Sequence, residues 1–323
     1  MIIRLWETVE KGGAGLFGPW QARRAGRAAS EVRRDELLML AQAEKDAEAI
    51  RNGELRFDPT NHVLRLSHYK SQPPSGEASS LLLAAAASAD VADRLRREVN
   101  VAKALHHAEA ALESDVQEPP QERPDEDWFF RWRENASQVG AEELQYLWGR
   151  VLAGEVSAPG SYSLRTLEFL RNLSKREAET VAVACRYAVE GFIFNELGSD
   201  RLEKAGLDFD SRLELEAMGF LAAAQDGIST NIGGTRSDRR ILLRCNDLGL
   251  VVKLKEGGDS FSVPSHPLTQ VGKQISKLGD FSADQDYVRA LGEQVKSQGH
   301  EVMLARCKSV GPDEVSYTHL FTL

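Results

Sequence analysis

A proline-rich break about a third of the way along the chain most constrains how it can fold. Residues 118–124 read EPPQERP, with three prolines in seven positions. Proline lacks a backbone N–H and clashes with the preceding helical turn, so no regular helix can cross this stretch. The chain has 323 residues, which is enough for two or three domains. We therefore predict domains at 1–117, 118–195 and 196–323.

Long helical segments precede the break. Residues 21–52 and 78–113 are rich in Ala, Glu, Arg and Leu, which favour helices. Gly53 is typical of the position that follows a helix C-terminus. Residues 55–76 contain several prolines and predict a connecting segment with a short extended piece at 63–66. The N-terminal region is thus predicted to be a helical arm and a linker.

Three short helices joined by tight turns are predicted after the break. The first has an apolar face that begins at Leu144, and it is expected to end at Gly154. Residues 159–160 are Pro-Gly and predict a turn. Ser174 and Glu177 have the spacing of a capping box, in which each side chain bonds the backbone of the other at a helix start. These elements predict a small helical bundle.

The last third of the chain changes character. Residues 241–243 and 250–252 are apolar and flank Asn246-Asp247, a pattern that predicts two strands and a turn. A short helix is predicted at 268–275. The order helix, hairpin, helix is that of winged-helix modules.

A helix at 284–297 and strands at 300–307 and 314–321 are predicted to complete an α+β tail. The predicted fold class is therefore mainly α. It consists of a helical N-terminal arm and a central helical bundle, followed by a C-terminal α+β, winged-helix-like module.

Charge is distributed unevenly along the chain. The net charge is −9, from 40 basic and 49 acidic side chains. Residues 1–34 carry seven basic and three acidic side chains, a net charge of +4, whereas residues 113–155 carry four and eleven, a net charge of −7. The overall acidity argues against a general nucleic-acid binder.

The compartment is predicted from cysteines and apolar segments. Cys185, Cys245 and Cys307 are odd in number and scattered, which favours a reducing compartment. The uncharged run at 78–89 is shorter than the roughly 20 apolar residues that a membrane-spanning helix needs. The N-terminus lacks the pattern of a secretory signal. We expect a cytoplasmic protein, with a peripheral position at the inner membrane as the alternative.

The densest motif lies at 126–174 and reads EDWFFRWRENASQVGAEELQYLWGRVLAGEVSAPGSYSLRTLEFLRNLS. It resembles a bacterial domain family of unknown function whose members carry the same LWG-x-x-LAGE…PGS-x-SLRTLE-x-L-x-NLS run. It is also distantly similar to the abortive-infection alpha proteins, which share the LW-x-x-LLA element. The resemblance implies a helical core and a setting in phage defence. It implies no activity, substrate or catalytic residue.

Packing accounts for much of this motif. Trp148 lies on the apolar face of its helix, and Gly154 is typical of a helix end. Packing does not require the polar members Arg165, Glu168 and Asn172. These three are the candidate ligand-binding residues.

Known catalytic motifs are incomplete in this sequence. Residues 13–18 match G-x-G-x-x-G, but a helical pattern precedes them where a dinucleotide site needs a strand. Gly272-Lys273 is followed by Gln274, where a P-loop has Ser or Thr. His106 and His107 are adjacent, so they point about 100° apart on a helix and do not form a chelating pair. We expect no cofactor or metal site, and a cryptic enzyme is the last of three hypotheses.

The first hypothesis is a non-enzymatic interaction or effector protein of bacterial anti-phage defence. Ile2, Leu5, Trp6 and Val9 form an apolar stripe ahead of a basic segment, which suits a membrane surface or a protein partner. The alternative is that this stripe packs onto the chain's own bundle or onto a second copy. The candidate partner or membrane contacts are Trp6, Phe17, Trp20, Arg23, Arg24 and Arg27.

The second hypothesis is a winged-helix DNA-binding regulator. Residues 235–257 carry six basic and three acidic side chains, a net charge of +3. The candidate DNA contacts are Arg236, Arg239, Arg240 and Arg244. We expect a protein partner or a homo-oligomer, with nucleic acid as the weaker alternative.

Overall fold

The computed structural model describes most of the chain in separate ranges. The described residues are 4–5, 7–9, 29–58, 63–66, 78–113, 120–195, 197, 201–225, 227–233, 239–279, 281–309 and 315–323. The chain divides into two compact units, unit 1 (Met1–Gly160) and unit 2 (Ser161–Leu323). This division falls inside the predicted central domain, and the predicted three-domain bounds stay a prediction.

Unit 1 is built around one long helix. The described elements of unit 1 are α1 (Ala29–Arg51), β1 (Leu55–Asp58), β2 (Val63–Leu66), α2 (Ala78–Glu113), α3 (Glu126–Ser137) and α4 (Glu142–Ser157). Helix α2 has 36 residues and packs against α1, α3 and α4. Strands β1 and β2 pair antiparallel as a small hairpin. Among the described residues, no helix is long and apolar enough to cross a bilayer.

Several helix and strand bounds of unit 1 agree with the predictions. Helix α2 covers the predicted range, and β2 is the predicted extended piece. Gly53 has φ +75° and donates its backbone N–H to the Ile50 carbonyl at 3.1 Å, as expected after a helix. The predicted helix end at Gly154 is wrong. Ala158 donates its N–H to the Gly154 carbonyl at 2.9 Å, so α4 continues to Ser157.

Unit 2 combines helices with two antiparallel sheets. Its described helices are α5 (Leu164–Asn172), α6 (Lys175–Arg186), α7 (Arg201–Lys204), α8 (Phe209–Ala217), α9 (Gln270–Ile275) and α10 (Gln285–Ser297). Its described strands are β3 (Phe192–Phe194), β4 (Ile228–Gly233), β5 (Arg240–Cys245), β6 (Leu248–Lys253), β7 (Ser260–Pro267), β8 (Glu301–Ser309) and β9 (Val315–Thr322).

The two sheets of unit 2 share one helix as a neighbour. One sheet has the strand order β3-β7-β4 and the other has the order β5-β6-β8-β9. Helix α10 packs against β6, β7 and β8, so it contacts both sheets. The buried Tyr287 of α10 donates its hydroxyl to the Phe194 carbonyl at 3.1 Å and accepts the Phe194 N–H at 2.7 Å. This helix therefore joins the sheets into one core.

The prediction of a mainly α fold is wrong. Of the residues that the structure describes, 54% are helical and 20% lie in strands. The sequence of β4, ISTNIG, reads as a polar loop because most of its side chains are exposed. Strand β7 contains Pro264 and Pro267, which argue against a strand in a sequence pattern. The whole β3-β7-β4 sheet was therefore not predicted.

The winged-helix-like interpretation of the C-terminal module is also wrong. The predicted hairpin around Asn246-Asp247 is confirmed as β5 and β6. It does not form a wing, because β6 is an inner strand that pairs with β5 on one side and β8 on the other. The predicted helix and the two strands of the tail are confirmed as α10, β8 and β9.

Candidate functional site

Helix α5 divides its side chains between two faces. Three of its side chains are buried in unit 2: Thr166, Leu167 and Leu170. Arg165, Glu168 and Asn172 are exposed. Their spacing of three and four residues places them on one side of the helix. The three residues predicted to bind a ligand thus share one exposed face.

This exposed face forms one wall of a groove of about 950 Å³, which we call the α5 groove. The end of α8 and the start of α9 form the other wall. The lining residues are Ser163, Leu164, Arg165, Glu168, Phe169, Asn172, Leu173, Glu177, Met218, Gly219, Thr269, Gln270 and Val271. All of them belong to unit 2.

Apolar and polar side chains occupy different depths of the α5 groove. Four apolar lining residues are half-buried: Phe169, Leu173, Met218 and Val271. The polar residues Arg165, Glu168, Asn172 and Gln270 are exposed. The exposed Leu164 also lines the groove, and Ser163, Glu177 and Thr269 are half-buried. The groove therefore combines a partly apolar base with a mainly polar rim, a composition common in ligand-binding clefts.

Buried hydrogen bonds hold α9 against the start of α5. The side chain of Gln274 is buried, and its Oε1 accepts the Ser163 N–H at 3.0 Å. The same oxygen accepts the hydroxyl of the buried Thr166. Ser163 also caps α5, since its hydroxyl accepts the Thr166 N–H. These bonds fix one end of the α5 groove.

A second set of contacts fixes the opposite wall. The Thr269 hydroxyl donates to the Gly219 carbonyl at 2.6 Å, and the Thr269 N–H donates to the Phe220 carbonyl at 3.0 Å. A Cβ on Gly272 would lie 2.3 Å from the Phe220 carbonyl oxygen. Glycine at this position therefore lets α9 approach the chain after α8. Gly219 itself has φ +82°, a conformation that favours glycine.

The charges around the α5 groove are mixed. Arg165 is the basic lining residue, and Glu168 and Glu177 are the acidic ones. Hydrogen bonds from Ser174 lower the pKa of the Glu177 carboxyl, which is thus ionised at neutral pH. The two reciprocal bonds between Ser174 and Glu177 confirm the predicted capping box. The rim presents both signs of charge to a ligand.

The first half of the central motif serves packing within unit 1. Trp148 is buried, and its carbonyl accepts the indole N–H of Trp132 at 2.9 Å. A Cβ on Gly149 would lie 2.5 Å from Cβ of His107 and 2.8 Å from the Ala104 carbonyl oxygen. Gly149 therefore lets α4 pack closely against α2. This is the packing role that the sequence predicts for the LWG run.

The other wall of the α5 groove was missed by sequence reasoning. Met218, Thr269 and Gln270 are distant from α5 in the sequence, and none belongs to a known motif. The available signal was local, since Thr269 caps α9 by accepting the Gly272 N–H at 3.1 Å. A cap predicts a helix start but does not predict which helix lies opposite.

The N-terminal contact residues lie outside the described part of the chain. This holds for Trp6, Phe17, Trp20, Arg23, Arg24 and Arg27. Two members of the apolar stripe, Leu5 and Val9, are described and fully buried. Arg4 donates to the Pro120 carbonyl at 2.8 Å. The described part of the stripe is therefore packed inside unit 1.

Two of the arginines predicted to contact DNA, Arg239 and Arg244, bond to backbone carbonyls in or near their own hairpin. Arg236 lies outside the described residues. Arg239 donates to the Lys255 carbonyl and, at 2.5 Å, to the Gly258 carbonyl. Arg244 donates its Nε–H to the Asn246 carbonyl at 2.9 Å, whereas Arg240 is exposed. Arg239 and Arg244 are thus half-buried and bonded to nearby carbonyls, and contact of this region with DNA stays a prediction.

Comparison with known proteins assigns the chain to a family. A family described as a protein of unknown function, DUF2806, matches residues 90–292, which is more than half of the chain. No curated protein and no solved structure matches the chain. The matched range includes every residue that lines the α5 groove. The predicted resemblance to a domain family of unknown function is thus confirmed, and the chain belongs to the DUF2806 family.

Proposed function

We propose that the protein is an interaction protein that holds a short segment of a partner polypeptide in the α5 groove. One observation carries this proposal. The three polar motif residues that packing does not require, Arg165, Glu168 and Asn172, face the same apolar-based groove. A cleft with a partly apolar lining and a few polar groups around it is the usual form of a binding site.

The chemistry of the rim favours a polypeptide as the ligand. Asn172 and Gln270 line the groove, and each amide both donates and accepts hydrogen bonds. A peptide backbone presents the same alternation of N–H and C=O groups. The half-buried base around Phe169 and Met218 can take an apolar side chain of the bound segment. Arg165 favours an acidic side chain of the bound peptide beside it, and Glu168 favours a basic one.

A displayed library of random peptides, selected on the full chain, tests this function. We expect enriched peptides to share an apolar position and to bind the full chain in fluorescence-anisotropy titrations. Asn172→Trp places a large ring in the groove, and we expect it to weaken binding of a selected peptide about tenfold or more, which corresponds to about 1.4 kcal/mol.

Arg171→Trp is the matched control, because Arg171 is the exposed neighbour that does not line the groove. We expect its affinity to stay within about twofold of the unsubstituted chain. The proposed function is contradicted if no peptide is enriched on this chain more than on an unrelated protein. It is also contradicted if Asn172→Trp and Arg171→Trp lose the same peptide affinity.

Two further proposals have other support. The setting in anti-phage defence rests on the resemblance of the central motif alone. Plaque formation on cells with and without the gene tests it, and equal plating of every phage contradicts it.

Contact of the N-terminal segment with a membrane rests on its aromatic and basic composition. Flotation with phosphatidylglycerol vesicles tests this contact. It is contradicted if the same fraction of the full chain and of Trp6→Glu floats with the vesicles.

A further inference from the structure

The four-stranded sheet of unit 2 has two edges that differ in how their backbone is covered. The edge strands are β5 and β9. At the β5 edge, Arg244 donates its backbone N–H to the Glu190 carboxylate at 3.0 Å. Glu190 returns a backbone N–H to the Arg244 carbonyl at 3.2 Å. A loop residue thus covers this part of the β5 edge, which blocks the approach of another strand.

From Val315 to His319 the β9 edge lacks charged side chains and prolines, and a β-bulge interrupts its pairing with β8 only beyond that stretch, at Leu320. Its sequence from Val315 to Thr322, VSYTHLFT, contains no Asp, Glu, Lys, Arg, Pro or Gly. Residues 316–320 are all exposed, and the exposed fractions of Tyr317 and Leu320 are 43% and 41%. Edge strands of natural proteins are normally short, charged or interrupted by proline. The uncharged stretch before the bulge is therefore open to pairing with another strand.

The hydrogen-bond pattern identifies the backbone groups that point away from the sheet. Cys307 donates its N–H to the Asp247 carbonyl at 2.8 Å, so the Cys307 amide faces β6. Tyr317 is the residue opposite Cys307 on β9. Residues of an antiparallel pair alternate between bonded and non-bonded positions. The backbone N–H and C=O of Tyr317 therefore face outward, as do those of Val315 and His319.

We propose that β9 pairs with β9 of a second copy of this chain, across a two-fold axis at Tyr317. In this register Tyr317 exchanges backbone hydrogen bonds with Tyr317 of the second copy, and Val315 exchanges them with His319 of the second copy. The two sheets become one continuous antiparallel sheet. The interface is isologous and closed, because the same strand serves both copies.

The composition of β9 selects a second copy over a charged partner strand. In this two-fold register residue 317 lies opposite its own copy and residues 315 and 319 lie opposite each other, so a charge at 317, or like charges at 315 and 319, would repel across the axis. The strand has no Lys, Arg, Asp or Glu. The exposed Tyr317 would meet Tyr317 of the second copy, and aromatic pairs across strands are stabilising. This surface is separate from the α5 groove and does not depend on the proposed function.

Light scattering coupled to size exclusion tests the proposal with the full chain from about 1 µM to about 100 µM, the range of micromolar dissociation constants. We expect the unsubstituted chain to have the mass of two chains. Tyr317→Pro removes an outward N–H that has no bond to β8, and proline is tolerated at such edge positions. We expect this variant to have the mass of one chain. Tyr317→Val keeps the N–H and should keep the mass of two chains.

Tyr317→Lys is the second variant, and it keeps the proposal testable if proline disturbs the strand. Its side chain is exposed, so the fold should be retained, while two ammonium groups would oppose each other across the axis. We expect the mass of one chain, with an unchanged circular dichroism spectrum. A one-chain mass for the unsubstituted protein at every concentration overturns the proposal. So does a two-chain mass for a folded Tyr317→Pro or Tyr317→Lys.

Discussion

Helices α4 and α5 come from the same dense motif, yet the structure uses their side chains differently. In α4 the motif residues Trp148, Val151 and Leu152 are buried, and Trp148 and Gly149 set the contact with neighbouring helices. In α5 only one face is buried, and the opposite face lines the α5 groove. One sequence motif thus specifies packing in its first half and an exposed surface in its second.

The largest effect is expected in α4. Trp148→Ala should destabilise unit 1 by about 3 to 5 kcal/mol, because it removes a large buried ring and leaves a cavity. All five tryptophans lie before residue 161, so tryptophan fluorescence during urea unfolding reports on unit 1. Leu144→Ala on the same helix is the control, since Leu144 is 43% exposed, and it should cost less than about 1 kcal/mol. Equal losses would show that α4 is not a packing element.

The next effect is expected at the wall opposite α5. Gly272→Ala should destabilise unit 2 by about 1 to 3 kcal/mol, because its Cβ would press on the Phe220 carbonyl oxygen. The unfolding phase seen by far-UV circular dichroism but not by tryptophan fluorescence reports on unit 2. Gly140→Ala is the control: it lies in unit 1 and its Cβ meets no atom within 4 Å, so it should leave the unit 2 phase unchanged. A neutral Gly272→Ala would contradict the close approach of α9.

A smaller effect is expected at the link between α5 and α9. Thr166→Val removes the hydroxyl that donates to Gln274, at nearly constant volume, and should cost about 1 kcal/mol. Thr180→Val is the control, because the Thr180 hydroxyl is bonded only within its own helix, to the Arg176 carbonyl. The same circular dichroism phase measures both variants. If the control costs as much as Thr166→Val, the link does not stabilise the groove.

Stability of unit 2 should also fall moderately as the pH is lowered from about 7 to about 5. Burial lowers the pKa of His266 and of His300 from the ordinary value of 6.5. The unfolded chain therefore binds protons at a pH where the folded chain does not, and acid favours unfolding. Nδ1 of His300 accepts the Lys255 N–H at 3.2 Å, a bond that protonation would break.

His300→Gln keeps an acceptor for the Lys255 N–H but does not titrate. We expect urea unfolding of this variant to depend less steeply on pH than that of the unsubstituted chain. Stability that is equal at both pH values, or higher in acid, would contradict this assignment.

Sequence patterns predicted those elements whose signals are local. The capping box of Ser174 and Glu177, the hairpin at Asn246-Asp247 and the range of α2 all follow from short-range chemistry. Strands β4 and β7 were not predicted, because a polar strand and a proline-containing strand take their stability from pairing with each other. Long-range pairing leaves no signal in a short window.

The candidate site was predicted on one side only. Arg165, Glu168 and Asn172 stood out because packing does not require them, and they do line the groove. Met218 and Gln270 complete the groove by folding, and only the tertiary structure brings them there.

Two arginines on α5 distinguish the binding face of this helix from the rest of its exposed surface. Arg165 lines the α5 groove and Arg171 does not, although both are exposed. Each residue is changed to Ala, and both the free energy of unfolding and the dissociation constant of a selected peptide are measured. We predict that both variants stay within about 0.5 kcal/mol in stability, as exposed substitutions do. Arg165→Ala should weaken the peptide about tenfold, and Arg171→Ala should leave it within about twofold. Equal affinities of the two variants would contradict the division between a packing helix and a binding helix.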